Sequence, residues 1–509
     1  MPLGDIRTFN GSNGYHDSGY DGQPSSGNEL LLGVLESYGF QDEACFLGDA
    51  SCDPSSRTRA RFNCTGSGCT ATSNFTDEQA HGTIVTSIAI GDYSQDQADG
   101  HDSAIASGLS SWEFPATGYA REAELHYYAA GTESGKVKGY ACAHGIGTNC
   151  VTVDVLNASN GDTVGACDAA SWHVLEDALE DAWDDGVLPV TITHNDGVGM
   201  DVCEVRSPAD IPKAFAVGAV DPDDSSSHAS WTFSDYSNRG GGMSKIGFAE
   251  FSTSMSMVDL VAPGRPGHVT TEDGTYGEVS VDGPQSTGNV SEEGTSYAAP
   301  QVAGAALQVK HRMLDLGLDW IDDPGRLHTV MLSMGDRATA GNGANGATSP
   351  ACISGGRLRC GADRQYGLGR LRLRLHDLMW MRTNTFTSSS QVHKEIVFGG
   401  AIPSGKVILK CVTQQREDMN DADKDDISGV TLSVQVRAKS DGECVVDAGS
   451  LIRTITDNEP DDKHMVVVLD AEHNIEGNCM QLIVDPTVIS SAGSVVTHTY
   501  CQADNNLDY

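Results

Sequence analysis

Three segments carry residue types that together could do acyl-transfer chemistry. The first is Gly294-Thr295-Ser296-Tyr297-Ala298-Ala299-Pro300-Gln301-Val302-Ala303-Gly304, where a serine follows a Gly-Thr turn. The small residues after it predict a tightly buried helix over Ala298 to Val309. A hydroxyl at a helix start sits where free N–H groups and the dipole favour developing negative charge. A serine there also serves as a simple cap, so it decides nothing alone. The second segment is His81-Gly82-Thr83, at the head of another helical pattern. It could present an imidazole as general base. The third is Leu188-Pro189-Val190-Thr191-Ile192-Thr193-His194-Asn195, an apolar strand pattern ending in Asn. An amide at a strand end can donate to an oxyanion, and it is equally a common turn residue.

Together these segments resemble the subtilisin-like serine protease family. Gly294 to Gly304 is similar to its serine motif almost residue for residue, and His81-Gly82-Thr83 to its histidine motif. The order acid, His, Asn, Ser is also that of the family. Gly118 to Leu125, Asn157-Ala158-Ser159-Asn160-Gly161, Ala216 to Val220, Val261-Ala262-Pro263-Gly264 and Tyr366 to Arg370 resemble further landmarks. The resemblance covers roughly Leu30 to Leu375.

Carried over residue by residue, the resemblance implies these roles. Ser296 attacks the carbonyl, and His81 takes its proton and later gives it to the leaving amine. Asn195 and the Ser296 N–H hold the oxyanion. Ser159, Asn160 and Gly161 line the substrate cleft, pairing with an extended peptide as an added strand. The triad acid departs from the pattern. The family has Asp after its first core strand; here Glu36 follows Leu31-Leu32-Gly33-Val34-Leu35. Glu36 is the expected acid, with Asp42 or Asp49 as alternatives and a degraded triad as a third. His194 departs too, where the family usually has Gly. It either forms a wall of the primary specificity pocket or points into solvent.

Positioning these groups takes an α/β framework. Leu30 to Leu35, Ala123 to Tyr128, Val151 to Leu156, Leu188 to Thr193 and Ala214 to Val220 are short apolar runs. Such runs suit strands buried on both faces of a parallel sheet. Between them lie the His81 helix and a helix over Trp172 to Asp184. This predicts a subtilisin-like, mostly parallel sheet with helices on both faces over 30–382, after an irregular arm over 1–29. Beyond, Lys406 to Leu409, Val430 to Val436 and Met465 to Leu469 are β-prone, with no good helix between them. A C-terminal all-β domain, sandwich or jelly-roll-like, is expected over 383–509. Glu36 and His81 lie 45 residues apart (81 − 36), Asn195 and Ser296 101 (296 − 195). The first insert holds Cys45, Cys52, Cys64 and Cys69 and reads as a disulfide-stapled surface loop.

Bulk properties narrow the function. The chain has 509 residues and a formal net charge of -39, which repels nucleic acid and anionic membrane surfaces. No apolar run is long enough to span a membrane. The 14 cysteines lack the spacing of a structural zinc site and point to disulfides in an oxidising, extracellular compartment. Nearest-neighbour pairing is the first expectation. The opening residues are not a signal peptide, so a mature or trimmed form is implied. No cofactor is required. Asp421, Asp423 and Asp425 alternate like the start of a calcium loop, although Asp426 and Leu432 break that pattern. The expected function is a secreted serine endopeptidase acting on proteins or peptides through an acyl-enzyme on Ser296. The alternative is a weak or inactive relative used as a binding scaffold.

Overall fold

The computed structural model describes residues 7, 11–25, 29–39, 57–73, 81–91, 118–160, 173–197, 205–221, 231–239, 257–265, 268–270, 276–278, 293–336, 353–354, 357–358, 365–376, 378–406, 408–418, 430–440, 442–446, 449–457, 464–469, 473–486 and 494–504.

The apolar runs form one large, mostly parallel sheet. Its strands include β1 (Leu31–Glu36), β2 (Thr58–Thr65), β3 (Gly68–Ala71), β4 (Glu124–Ala129), β5 (Val155–Ala158), β6 (Leu188–Ile192), β7 (Phe215–Asp221), β8 (Thr232–Phe233) and β9 (Leu260–Pro263). Across the sheet the order is β9-β7-β6-β5-β1-β4-β2-β3, with β8 paired to β7. The chain winds one way from β1 to β4 and the other way to β5. That reversal makes the C-terminal ends of β1 and β5 a topological switch point, where ligands bind in such sheets.

Helices cover both faces, as the sequence predicts. α1 (Ser12–Asp17), α2 (His81–Ile90), α3 (Glu133–Ala143), α4 (Val174–Asp184), α5 (Thr295–Asp315) and α6 (Pro324–Ser333) are described. Leu32 and Val34 of β1 join the core formed with α2 and α5. Leu35 faces the core formed with α3 and α4. Side chains alternate along a strand, so Glu36 falls on the Leu32 and Val34 side, toward α2 and α5. α2 and α5 pack closely because Gly304 has no side chain; a β-carbon there would lie 2.5 Å from the Ala89 carbonyl oxygen.

Some expectations need correction. The arm before β1 is not wholly irregular: α1 docks on α5, with Ser12 Oγ donating to Gln308 Oε1 at 2.8 Å. The cysteine-bearing insert is more than a surface loop. Its β2 extends the sheet by pairing in parallel with β4, and the Cys64–Cys69 disulfide closes the β2–β3 hairpin. Cys142–Cys150 also pairs near neighbours. In the C-terminal region that expectation fails: Cys411 bonds Cys501, and Cys444 bonds Cys479. Strand pairing overrides proximity in sequence, since Cys411 and Cys501 lie opposite each other on adjacent antiparallel strands.

The C-terminal region is all-β. One four-stranded antiparallel sheet runs Leu378–Phe386, Ser494–Asp504, Ile408–Asp418, His464–Leu469. A second runs His393–Ala401, Cys479–Pro486, Val430–Arg437, Leu451–Asp457. Their facing residues, including Leu409, Val467, Leu432 and Leu482, form a third core. The other face of the first sheet is not solvated. Ile408, Val412, Val466, Val468 and Tyr500 join the α2/α5 core. Buried Lys410 reaches across to the carbonyls of Ser333 and Gly335, at 2.9 and 2.7 Å. A cation placed there complements the C-terminal end of α6. Among the described residues, no helix is long and apolar enough to cross a membrane.

Candidate active site

Glu36 ends β1, and His81 is the first residue of α2. Glu36 Oε2 and His81 Nδ1 are 3.0 Å apart. The Glu36 side chain is 3% exposed and that of His81 26%, so the carboxylate is sheltered while the ring reaches the surface. A carboxylate on Nδ1 fixes the tautomer that leaves Nε2 as the base. Gly82 is needed where it stands, because a β-carbon would collide with the Tyr127 hydroxyl. That hydroxyl donates to the Tyr38 carbonyl at 2.7 Å, tying the chain after β1 to the sheet under α2. Asp42 and Asp49, the alternative acids, lie outside the described residues.

Ser296 is the second residue of α5, which starts three residues earlier than the small-residue run predicts. Pro300 lies inside this helix and has no N–H for the Ser296 carbonyl four residues back. Ser159 fills the gap: its Oγ donates to the Ser296 carbonyl at 2.9 Å. Asn157 Nδ2 in turn donates to Ser159 Oγ at 2.8 Å. The Ser296 hydroxyl donates to the Ser159 carbonyl at 3.1 Å, so the two serines hold each other. Asn160 also turns inward, donating from Nδ2 to the Leu35 carbonyl at 2.7 Å. Gly161 lies outside the described residues, as do Asp421, Asp423 and Asp425.

Asn195 follows β6. Its Oδ1 accepts from the Thr295 N–H at 2.8 Å and the Thr295 hydroxyl at 2.9 Å. Two donors on the oxygen orient the amide, which leaves Nδ2 toward Gly294. A β-carbon on Gly294 would lie 3.2 Å from Asn195 Nδ2 and 3.6 Å from the Ser296 nitrogen. Gly294 has an extended φ of 171°, open to any residue, so a side chain there would act by crowding Asn195 Nδ2. Asn195 Nδ2 and the Ser296 nitrogen thus flank the same side of Gly294 at a helix N-terminus, an arrangement suited to an oxyanion.

His194 has a left-handed φ of 83°, which glycine would adopt more easily. Its Nε2 is buried, so the ring does not point into solvent. Burial lowers its pKa to about 4, with Asp196 opposing and Arg206 reinforcing that shift, and keeps it neutral near pH 7. The turn is braced by Asn238, whose N–H donates to the His194 carbonyl at 2.9 Å, and by an Arg206–Asp196 ion pair at 2.8 Å. The supporting contacts of Thr295 and Asn157, which stand inside the quoted motifs, and of Tyr127 were not readable from the sequence. Only the proline four residues after Ser296 hints that an outside donor is required.

The subtilase family model matches residues 27–321. This chain belongs to the subtilase family. Among curated subtilases, subtilisin E of Bacillus subtilis (strain 168) is 29% identical over 154 residues, 30% of this chain and 30% of that protein. Subtilisin Savinase of Lederbergia lenta is 28% identical over 231 residues, 44% of this chain and 68% of that protein. The match thus spans less than a third of subtilisin E. Among solved structures, Sphericase is 18% identical with a TM-score of 0.47, covering 74% of this chain and 98% of its own.

Proposed function

We propose that this subtilase is a secreted serine endopeptidase. In this reading Ser296 attacks a peptide carbonyl and His81 accepts its proton. Glu36 holds the imidazole and stabilises its charged form. Asn195 Nδ2 and the Ser296 N–H receive the oxyanion. The resulting acyl-enzyme is hydrolysed by water activated by the same His81. The observation that carries the reading is the 3.0 Å contact between Glu36 Oε2 and His81 Nδ1. Glu is one methylene longer than Asp, yet its carboxylate meets the ring at hydrogen-bond distance, which favours a working acid over a degraded triad. Ser159 and Asn160 belong to the cleft edge, with their side chains spent on shaping it. Their backbone is what an extended peptide would pair with. The disulfides support an oxidising compartment, and extracellular action on protein or peptide substrates follows from it. The all-β region from about residue 378 is an accessory domain in this proposal.

A fluorophosphonate probe tests the reading. The folded chain is expected to take up one label, on Ser296, and Ser296→Ala is expected to lose it. No labelling, or labelling that survives the substitution, favours a non-catalytic scaffold instead.

A further inference from the structure

Asp259, His328 and His464 meet where the parallel sheet, α6 and the C-terminal β region come together. Asp259 immediately precedes β9, His328 lies on α6, and His464 opens the strand His464–Leu469. The Asp259 and His464 residues are 205 positions apart in sequence, yet all three are fully buried. One ligand-capable atom from each lies within 4.8 Å of the others. His328 Nε2 is 3.4 Å from Asp259 Oδ1, and His464 Nε2 contacts that same oxygen. The two imidazole rings are inclined at 59°, with centroids 5.6 Å apart. The same ring nitrogen of both histidines therefore converges on one carboxylate.

The groups behind this trio hold its aim. The Ala216 N–H donates to Asp259 Oδ2 at 2.5 Å, leaving Oδ1 turned toward the histidines. His328 Nδ1 is 3.0 Å from Gln414 Nε2, on the C-terminal sheet; when His328 Nε2 ligates a metal, this amide turns over so that its oxygen accepts from Nδ1–H. Trp183 and Phe215 flank the His328 ring, with centroids 5.2 and 4.5 Å away. Two buried imidazoles and a buried carboxylate form a borderline donor set of the zinc type, with outer partners on Asp259 and His328. A divalent cation held between the three groups offsets the buried carboxylate charge outright.

We propose that Asp259, His328 and His464 bind one divalent transition metal, zinc by donor type, that staples the C-terminal β region onto the subtilase sheet. Three protein ligands leave one tetrahedral position for water or the second carboxylate oxygen. Because the trio is sealed, the ion enters as the two parts dock, and binding is coupled to folding.

Elemental analysis and X-ray absorption of the full chain, produced with zinc and kept in excess calcium, test the proposal. The expected result is about one zinc per chain, with a spectrum of two imidazoles plus oxygen. His464→Ala and His328→Ala are each expected to lose it. Less than about a tenth of an equivalent in the wild type overturns the proposal. So does a zinc spectrum without imidazole, or full zinc content in a folded His464→Ala chain. If a variant does not fold, the wild-type spectrum decides. A metal-free result assigns the trio to hydrogen bonding, with both Nε2–H groups donating to Asp259.

Discussion

The Glu36–His81 pair and the Asp259–His328–His464 trio are both acid–imidazole groups, and they differ in access. At the switch point, the His81 side chain is 26% exposed and stands over a sheltered Glu36. At the junction with the β region, His464 and Asp259 are both 0% exposed. The chemical ingredients are alike. A base that must pass protons between a serine and a leaving group needs an open side, which His81 has. A sealed imidazole cannot turn over a substrate and can only bind and hold. Exposure, rather than residue type, separates a reacting group from a fastening one.

Substitutions test this contrast. The largest effect is expected at the open site: Ser296→Ala should lower kcat for a peptide substrate by about a million-fold. Glu36→Gln, which keeps shape and removes charge, should cost about 10⁴-fold in kcat. An effect below tenfold would mean that another acid serves His81. Asn195→Ala should cost about 10²–10³-fold in kcat with KM little changed, the effect characteristic of losing one oxyanion donor in this protease type. Gly294→Ala, which places a methyl between the two donors, should cost about a hundredfold while thermal melting stays put.

Smaller effects are expected in stability. Replacing both Cys411 and Cys501 with Ser opens a loop of 90 residues and should cost about 2–5 kcal/mol in denaturant unfolding. Acid should also destabilise the fold through its buried histidines. Burial, aided by Arg59, lowers the His126 pKa from 6.5 to about 4. The folded state then binds fewer protons than the unfolded state between these values, so this contribution is complete above pH 6.5 and is lost toward pH 4. His126→Phe, among the rings of Phe62 and Tyr128, should flatten that slope in unfolding free energy measured against pH.

Much of the open site was legible because its residues stand at the ends of patterned elements. Ser296 heads a run of small residues, His81 heads a helix, and Asn195 and Glu36 close apolar strands. Local order therefore carried most of their placement. The supports were not legible, because they depend on long-range contacts. Nothing in the sequence near Ser159 says that its hydroxyl serves the carbonyl of Ser296, 137 positions away. The junction trio was hidden for the same reason, and the Cys411–Cys501 bond follows strand pairing that no spacing rule supplies. The C-terminal strands were visible, while the burial of their outer face on α6 was not.

Pro300 has a further consequence. It leaves the Ser296 carbonyl to be fastened by Ser159, just beyond β5, instead of by its own helix. If Ser296 reacts as proposed, its reactivity reads out tertiary docking. A chain whose helices are formed but in which Ser159 has slipped from Ser296 is expected to keep its circular dichroism and lose its fluorophosphonate label. The serine is thus a built-in reporter of native assembly, sensitive to partial unfolding that spectroscopy of the helices would miss.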